Sequence, residues 1–217
     1  MSYRYDELVP GEIYHICTRG VEKRNIFRYD SDKHRFVALL THCLPKGNIQ
    51  SFSVARKLKQ EAERTPSGSG LIDLLCYSLM PNHIHLLIRE NASGGTSLYI
   101  LRLLTSYAKY FNTREHRSGS LFVNPFHSVL VDGDEQLLHV SRYIHLNPFV
   151  AHMINNPSTY RWSSLPEYIN KVRAVVCHKS LLKSIMKPTE YKKFVFDEAD
   201  YARSLSDIKH LLIDNED

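Results

Sequence analysis

His83, Ile84 and His85 open an apolar run that follows Pro81-Asn82. On an extended strand alternate side chains share a face, so both imidazoles point the same way. Two imidazoles on one face are half of a divalent-cation site; one more protein donor would leave positions for water or a phosphate oxygen. In a chain with 12 histidines, His-x-His is also what a polar strand face shows by chance. A second pair adds to it. Tyr143 and Asn147 are four residues apart on a predicted helix, about 40° apart around its axis. They flank the stripe of Leu137, Val140 and Ile144, so the helix can pack on a core while a phenol and an amide reach around its margin. Breaking a phosphodiester without water as nucleophile needs an oxygen that attacks phosphorus in line, a cation for the developing charge, and donors that hold the strand. A phenol, with a pKa of about 10, needs activation, but its phosphate ester conserves the bond for resealing. By donor chemistry two imidazoles favour Mn²⁺, Zn²⁺ or Ni²⁺ over Mg²⁺.

The elements that must position these groups are legible in outline. Gly11 to Thr18 reads as a strand closing at Arg19-Gly20. Asp30-Ser31-Asp32 starts a helix with Phe36, Leu39, Leu40 and Cys43 at helical spacing and a stop at Pro45. Residues 47–70 read as a basic excursion, helix-like over Val54 to Arg64, with a Pro/Ser/Gly exit. Leu71 to Met80 and His83 to Arg89 form a hairpin. Leu101, Leu104, Ala108 and Phe111 mark the apolar stripe of a helix ending at Gly119. Leu121 to Val131 is a strand in which Pro125 argues for an edge or a bulge. Asp134 to Leu146 is a helix broken by Asn147-Pro148, and short helices follow at Lys179 to Met186 and Thr189 to Ser204. The pattern predicts an α+β fold: a ferredoxin-like antiparallel sheet with helices on one face, as residues 1–170, plus a C-terminal helical extension, residues 171–217.

The chain has 217 residues, 28 Lys and Arg against 23 Asp and Glu, and a net charge of +5. That excess is compatible with phosphate-rich partners without requiring them. Arg19, Lys23 and Arg24 cluster beyond the first strand. Arg102, Lys109 and Arg114 follow one helix among Tyr107, Tyr110 and Phe111. Each cluster reads either as a nucleic-acid contact or as a solvated face over core aromatics. Cys17, Cys43, Cys76 and Cys177 lack metal or disulfide spacing and read as reduced core residues. No run spans a bilayer and no secretory segment opens the chain, so the expected location is the cytoplasm, in association with the nucleoid.

Met80-Pro81-Asn82-His83-Ile84-His85-Leu86-Leu87 resembles the signature of the HUH single-tyrosine transposases. Further matches follow in order: Tyr14-His15 through Arg19-Gly20, Ser118-Gly119-Ser120-Leu121-Phe122, Arg142-Tyr143-Ile144-His145-Leu146-Asn147-Pro148, and Trp162-Ser163-Ser164. The resemblance spans roughly Glu12 to Tyr168, and the tyrosine string is most similar to the repeat-associated tyrosine transposases. It implies His83 and His85 as metal ligands, Tyr143 as nucleophile and Asn147 as third ligand, where many members carry glutamine. It implies Mg²⁺ or Mn²⁺, a hairpin-bearing single-stranded DNA substrate, a 5′-phosphotyrosine intermediate, and DNA near Arg19, Lys23 and Arg24. Members occur both as monomers and as homodimers with exchanged tyrosine helices.

Other readings stay open at this stage. Tyr107 and Tyr110 are rival nucleophiles, His127 a rival ligand, and His139 and His145 surface or packing residues. His15 alternates with Cys17 and reads as a core histidine that could approach the metal if its strand neighbours the hairpin. A hydrolase with three alternating histidines is disfavoured by Leu87. A domesticated hairpin-binding module without turnover would carry the same residues.

Overall fold

The structure is a computed structural model that describes residues 8–58, 65–172, 176–199 and 202. The end of the expected 54–64 helix, and 173–175, 200–201 and 203–217 of the expected extension, lie outside the described residues.

Four strands, β1 (Ile13–Arg19), β2 (Ile72–Leu79), β3 (His83–Glu90) and β4 (His127–Val131), form one sheet in the order β2-β3-β1-β4, with every neighbouring pair antiparallel. β1 and β2 are therefore parallel with β3 between them, and β3 and β4 are parallel with β1 between them. Right-handed crossovers between such pairs set their helices on one face. Those helices are α1 (Asp30–His42) and α3 (Gly95–Arg114), which pack on each other. Beneath them lie Tyr14, Ile16, Ile84, Leu86 and Ile88, the alternate positions of β1 and β3, all buried. A short α2 (Phe52–Lys57) stands in the 47–70 excursion.

This is the expected α+β sheet-and-helix fold, and it extends to the second face. α4 (Gly133–Val150) follows β4, packs on β2 and β3, and faces the histidine side of the sheet. Short α5 (Leu165–Tyr168), α6 (Ser180–Ile185) and α7 (Pro188–Phe196) follow, the last two packing on α4. Trp162-Ser163-Ser164 closes the β2 edge: Leu79 N donates to Trp162 O at 2.9 Å and Ser164 N to Tyr77 O at 3.0 Å, satisfying backbone groups that an open edge would expose.

Three expectations need correction. The expected strand 121–131 forms regular pairing only from His127, because Pro125 has no N–H to give; upstream a single bridge joins Phe122 to Gly20. α4 is not broken at Asn147-Pro148 but continues to Val150, since Pro148 falls in the last turn, where losing one helical bond is tolerable. The buried stripe of α3 is Tyr99, Ile100, Leu103, Tyr107 and Phe111, whereas Leu101 is 63% exposed. The tyrosines can go inside because the Tyr99 and Tyr107 hydroxyls donate to Leu40 O and Ile26 O at 3.0 and 2.5 Å.

Candidate active site

Antiparallel pairing of β1 and β3 sets Cys17 opposite His85 and Arg19 opposite His83; on the other side of β1, Cys17 faces His127. These residues share the face away from α1 and α3. Their rings converge: His83 and His85 lie 4.9 Å apart, nearly perpendicular. His85 is 5% exposed and His83 is half-buried. Burial holds both imidazoles neutral. For His83 it lowers the pKa against a hydrogen bond with Asn147 that raises it, with Arg19 lowering it further. For His85, burial first and then His83 and His15 bring it to about 3. Neutral imidazole is the form that binds a cation.

α4 brings in the other two groups. Tyr143 lies on its open margin, 53% exposed, with its ring edge-on to His85 at 5.6 Å and to His15 at 5.9 Å. Asn147, one turn on, reaches the His83 ring. The helix is keyed in place two residues beyond Tyr143, where His145 is fully buried. One His145 nitrogen meets the Tyr191 hydroxyl of α7 at 2.7 Å and the other meets Ser164 Oγ at 2.8 Å, while Tyr191 also donates to Ser141 Oγ at 2.9 Å.

The rings line a cleft of about 400 Å³ whose wall includes Arg19, Lys23, Asn82, Val123, Pro125 and His127 and, among the described residues, no carboxylate. Arg19 and Lys23 are exposed at its rim. Gly20 permits the turn between them, since a Cβ there would lie 2.4 Å from Arg24 O. Lys23 itself has φ of 55°, and Asn82 Nδ2 donates to its carbonyl at 3.2 Å. Among the described residues no group of three or more His, Cys, Asp or Glu could hold a metal ion. A cation here would have two imidazoles and an amide oxygen, a donor set that fits an open site completed by substrate or water.

The structure gathers His83, His85, Tyr143, Asn147, Arg19 and Lys23, but not the other expected contacts. Arg24 is turned to Glu22 at 2.7 Å and to Val21 O. Arg102 donates to the carbonyls of Pro45 and Gly47. Arg114 is ion-paired with the buried Asp32. Lys109 is exposed beside a separate shallow basin with His116 and Arg117. The rival phenols are committed: Tyr107 to Ile26 O and Tyr110 to Asp32 Oδ1 at 2.9 Å. His139 is on the outer side of α4, against Phe194.

Two residues at the site carry more than their sequence readings. His15 was read as a core histidine; its Nε2 lies 3.0 Å from His85 Nδ1. Asn82 was read as hairpin punctuation; its Oδ1 accepts from His83 Nδ1 at 2.7 Å. The alternation of His15 with Cys17 and Arg19 was the available signal for the first, once β1 is known to pair with β3.

The family model described as "Transposase IS200 like" matches residues 10–147. A solved structure of a REP-associated tyrosine transposase bound to a REP hairpin superposes with a TM-score of 0.52 at 12% identity, covering 82% of this chain and 90% of that one. No curated protein matches the chain.

Proposed function

The chain belongs to the family of IS200-like transposases, and from that premise we propose that it is a metal-dependent endonuclease and strand transferase acting on single-stranded DNA with hairpin or repeat structure. The observation that carries the reading is the position of Tyr143, half open to solvent and edge-on to His85 at 5.6 Å, over a cleft rimmed by cations and, among the described residues, without a carboxylate. A hairpin-bearing substrate is supported by the hairpin bound to the structural neighbour.

In this reading Tyr143 Oη forms a bond to phosphorus, the P–O3′ bond breaks, and the departing 3′ oxygen takes up a proton. The phenol proton leaves to solvent, to which the ring is open. The 5′-phosphotyrosine keeps a phosphodiester, so a 3′-hydroxyl can reverse the step and join strands. His83, His85 and Asn147 would hold Mn²⁺ or Mg²⁺, which when bound neutralises charge on the scissile phosphate. Arg19 and Lys23 position the strand through its phosphates without reading its sequence. Arg24, Arg102 and Arg114 leave this contact set, because their guanidinium groups already serve partners within the chain.

The test is incubation of the full chain with hairpin-bearing single-stranded DNA and Mn²⁺, followed by denaturing electrophoresis and mass spectrometry. A covalent adduct is expected on Tyr143, abolished in Tyr143→Phe, with hairpin affinity unchanged within about threefold. Adduct persisting in Tyr143→Phe removes the phenol from its role. Tight hairpin binding with no adduct on any strand would leave a binding module without turnover.

A further inference from the structure

We propose that His15 is a positioning residue of this site: it accepts the Nδ1 proton of His85 and so fixes that ring in the tautomer whose Nε2 lone pair can take a cation. The inference rests on reading His83 and His85 as cation ligands.

His15 Nε2 lies 3.0 Å from His85 Nδ1, and the ring centroids are 5.2 Å apart with 23° between their planes, the nearly coplanar, edge-to-edge arrangement that an N–H···N bond requires. The residues come from different strands. His15 pairs in register with Leu87, so it meets His85 diagonally on the same face of the β1-β3 ladder. A hydrogen bond between two imidazoles needs an N–H on one and a lone pair on the other. If His15 donated, His85 would carry its own proton on Nε2, and neither of its nitrogens could accept a cation. If His85 donates, Nε2 keeps its lone pair and His15 carries its proton on Nδ1. Cation binding selects the second arrangement.

His83 has the same construction with a different acceptor. Asn82 Oδ1 takes its Nδ1 proton at 2.7 Å, and the donation of Asn82 Nδ2 to Lys23 O settles which end of the amide is oxygen. Each ring thus has Nδ1 engaged by a side chain, which directs Nε2 toward a cation; the His83 ring also carries the hydrogen bond with Asn147, the third donor of the proposed site. Outer hydrogen bonds of this kind set tautomer and ring orientation. His15 also meets Tyr143 edge-on at 5.9 Å, so one residue touches both a ligand and the phenol.

The test is Mn²⁺ binding to the full chain without DNA, followed by loss of the free-ion electron paramagnetic resonance signal, together with ¹⁵N-imidazole NMR of the metal-free protein. His15→Leu, which fills the space without an acceptor, is expected to weaken Mn²⁺ binding about 10–100-fold. His15→Gln, whose amide oxygen can take the proton, should recover most of that. His85 should be protonated at Nδ1 in the wild type. Wild-type affinity in His15→Leu, equal losses in the Leu and Gln variants, or a wild-type His85 protonated at Nε2 would each overturn the proposal. Should His15→Leu not fold, the Gln variant and the wild-type tautomer decide. Unchanged Mn²⁺ binding in both His83→Ala and His85→Ala overturns the ligand reading itself and the inference with it.

Discussion

Arg114 in the α1–α3 layer and Arg19 at the rim of the cleft both stand close to aromatic side chains, but among the described residues an anion is seated against Arg114 and not against Arg19. Arg114 bridges both carboxylate oxygens of Asp32, whose exposure is 0%, and lies over the rings of Tyr29 and Tyr110 at 5.0 and 5.3 Å. Asp32 also caps α1, accepting from Arg28 N and Tyr29 N at 2.9 and 3.0 Å. In the cleft, Arg19 and Lys23 flank imidazoles and a half-exposed phenol, with no carboxylate among the described lining residues. Cations interleaved with aromatics are therefore not in themselves a nucleic-acid footprint. What separates the two regions is whether the fold supplies the negative charge or leaves that to a ligand.

The contrast is sharpest in stability. Asp32→Ala leaves Arg114 with Glu115 as its remaining carboxylate, at 2.7 Å, and removes the buried partner and the cap of α1 together; breaking a buried pair costs about 3–5 kcal/mol, an upper bound here because Glu115 stays. Urea unfolding should show a loss of up to that order, whereas Arg19→Gln should leave the midpoint where it is; equal midpoints for the two variants would erase the distinction. A smaller effect is expected from the buried imidazole of α4. Burial lowers His145 to about 3 from 6.5, so between those values the unfolded chain binds a proton that the native chain excludes. Native stability must then fall as pH drops through that window, by about 1.4 kcal/mol per pH unit for one such group. His145→Gln, which retains hydrogen-bonding capacity, should flatten the profile of urea midpoint between about pH 4 and 6.5; an unaltered slope would assign the acid sensitivity elsewhere. The smallest effect concerns the rim. Arg19→Gln and Lys23→Gln should each reduce the salt dependence of single-strand binding, the slope of log K against log salt, by about 0.7, with thermal midpoints unmoved. An equal reduction from Arg114→Gln in protein that remains folded would break the comparison from the other side.

How far the sequence reveals this arrangement depends on the range over which each signal acts. Strand alternation placed His83 and His85 on one face, and the four-residue spacing placed Tyr143 and Asn147 on one helix margin, because both periods are local. The βα–ββ–αβα order was enough to predict the sheet and the layer above it. Signals that depend on partners far along the chain did not show. Arg114 reads as an exposed helix cation until Asp32, 82 residues away, is folded against it. The buried stripe of α3 was assigned to Leu101, Leu104, Ala108 and Phe111 because helical spacing cannot show that backbone carbonyls 59 and 81 residues away accept from the Tyr99 and Tyr107 hydroxyls. His15 could not be tied to His85, 70 residues on, without the pairing of β1 with β3.

The buried triangle of His145, Tyr191 and Ser164 has a mechanical corollary. A slip of α4 by one residue would roll it about 100° and carry the phenol off the histidines, yet that slip would strand three hydrogen-bonding groups in an apolar interior. The aim of Tyr143 is therefore maintained by a hydroxyl 48 positions downstream, on α7. A chain ending before Pro188 would keep every residue of the cleft and lose the pin that stops its tyrosine from rotating out of line.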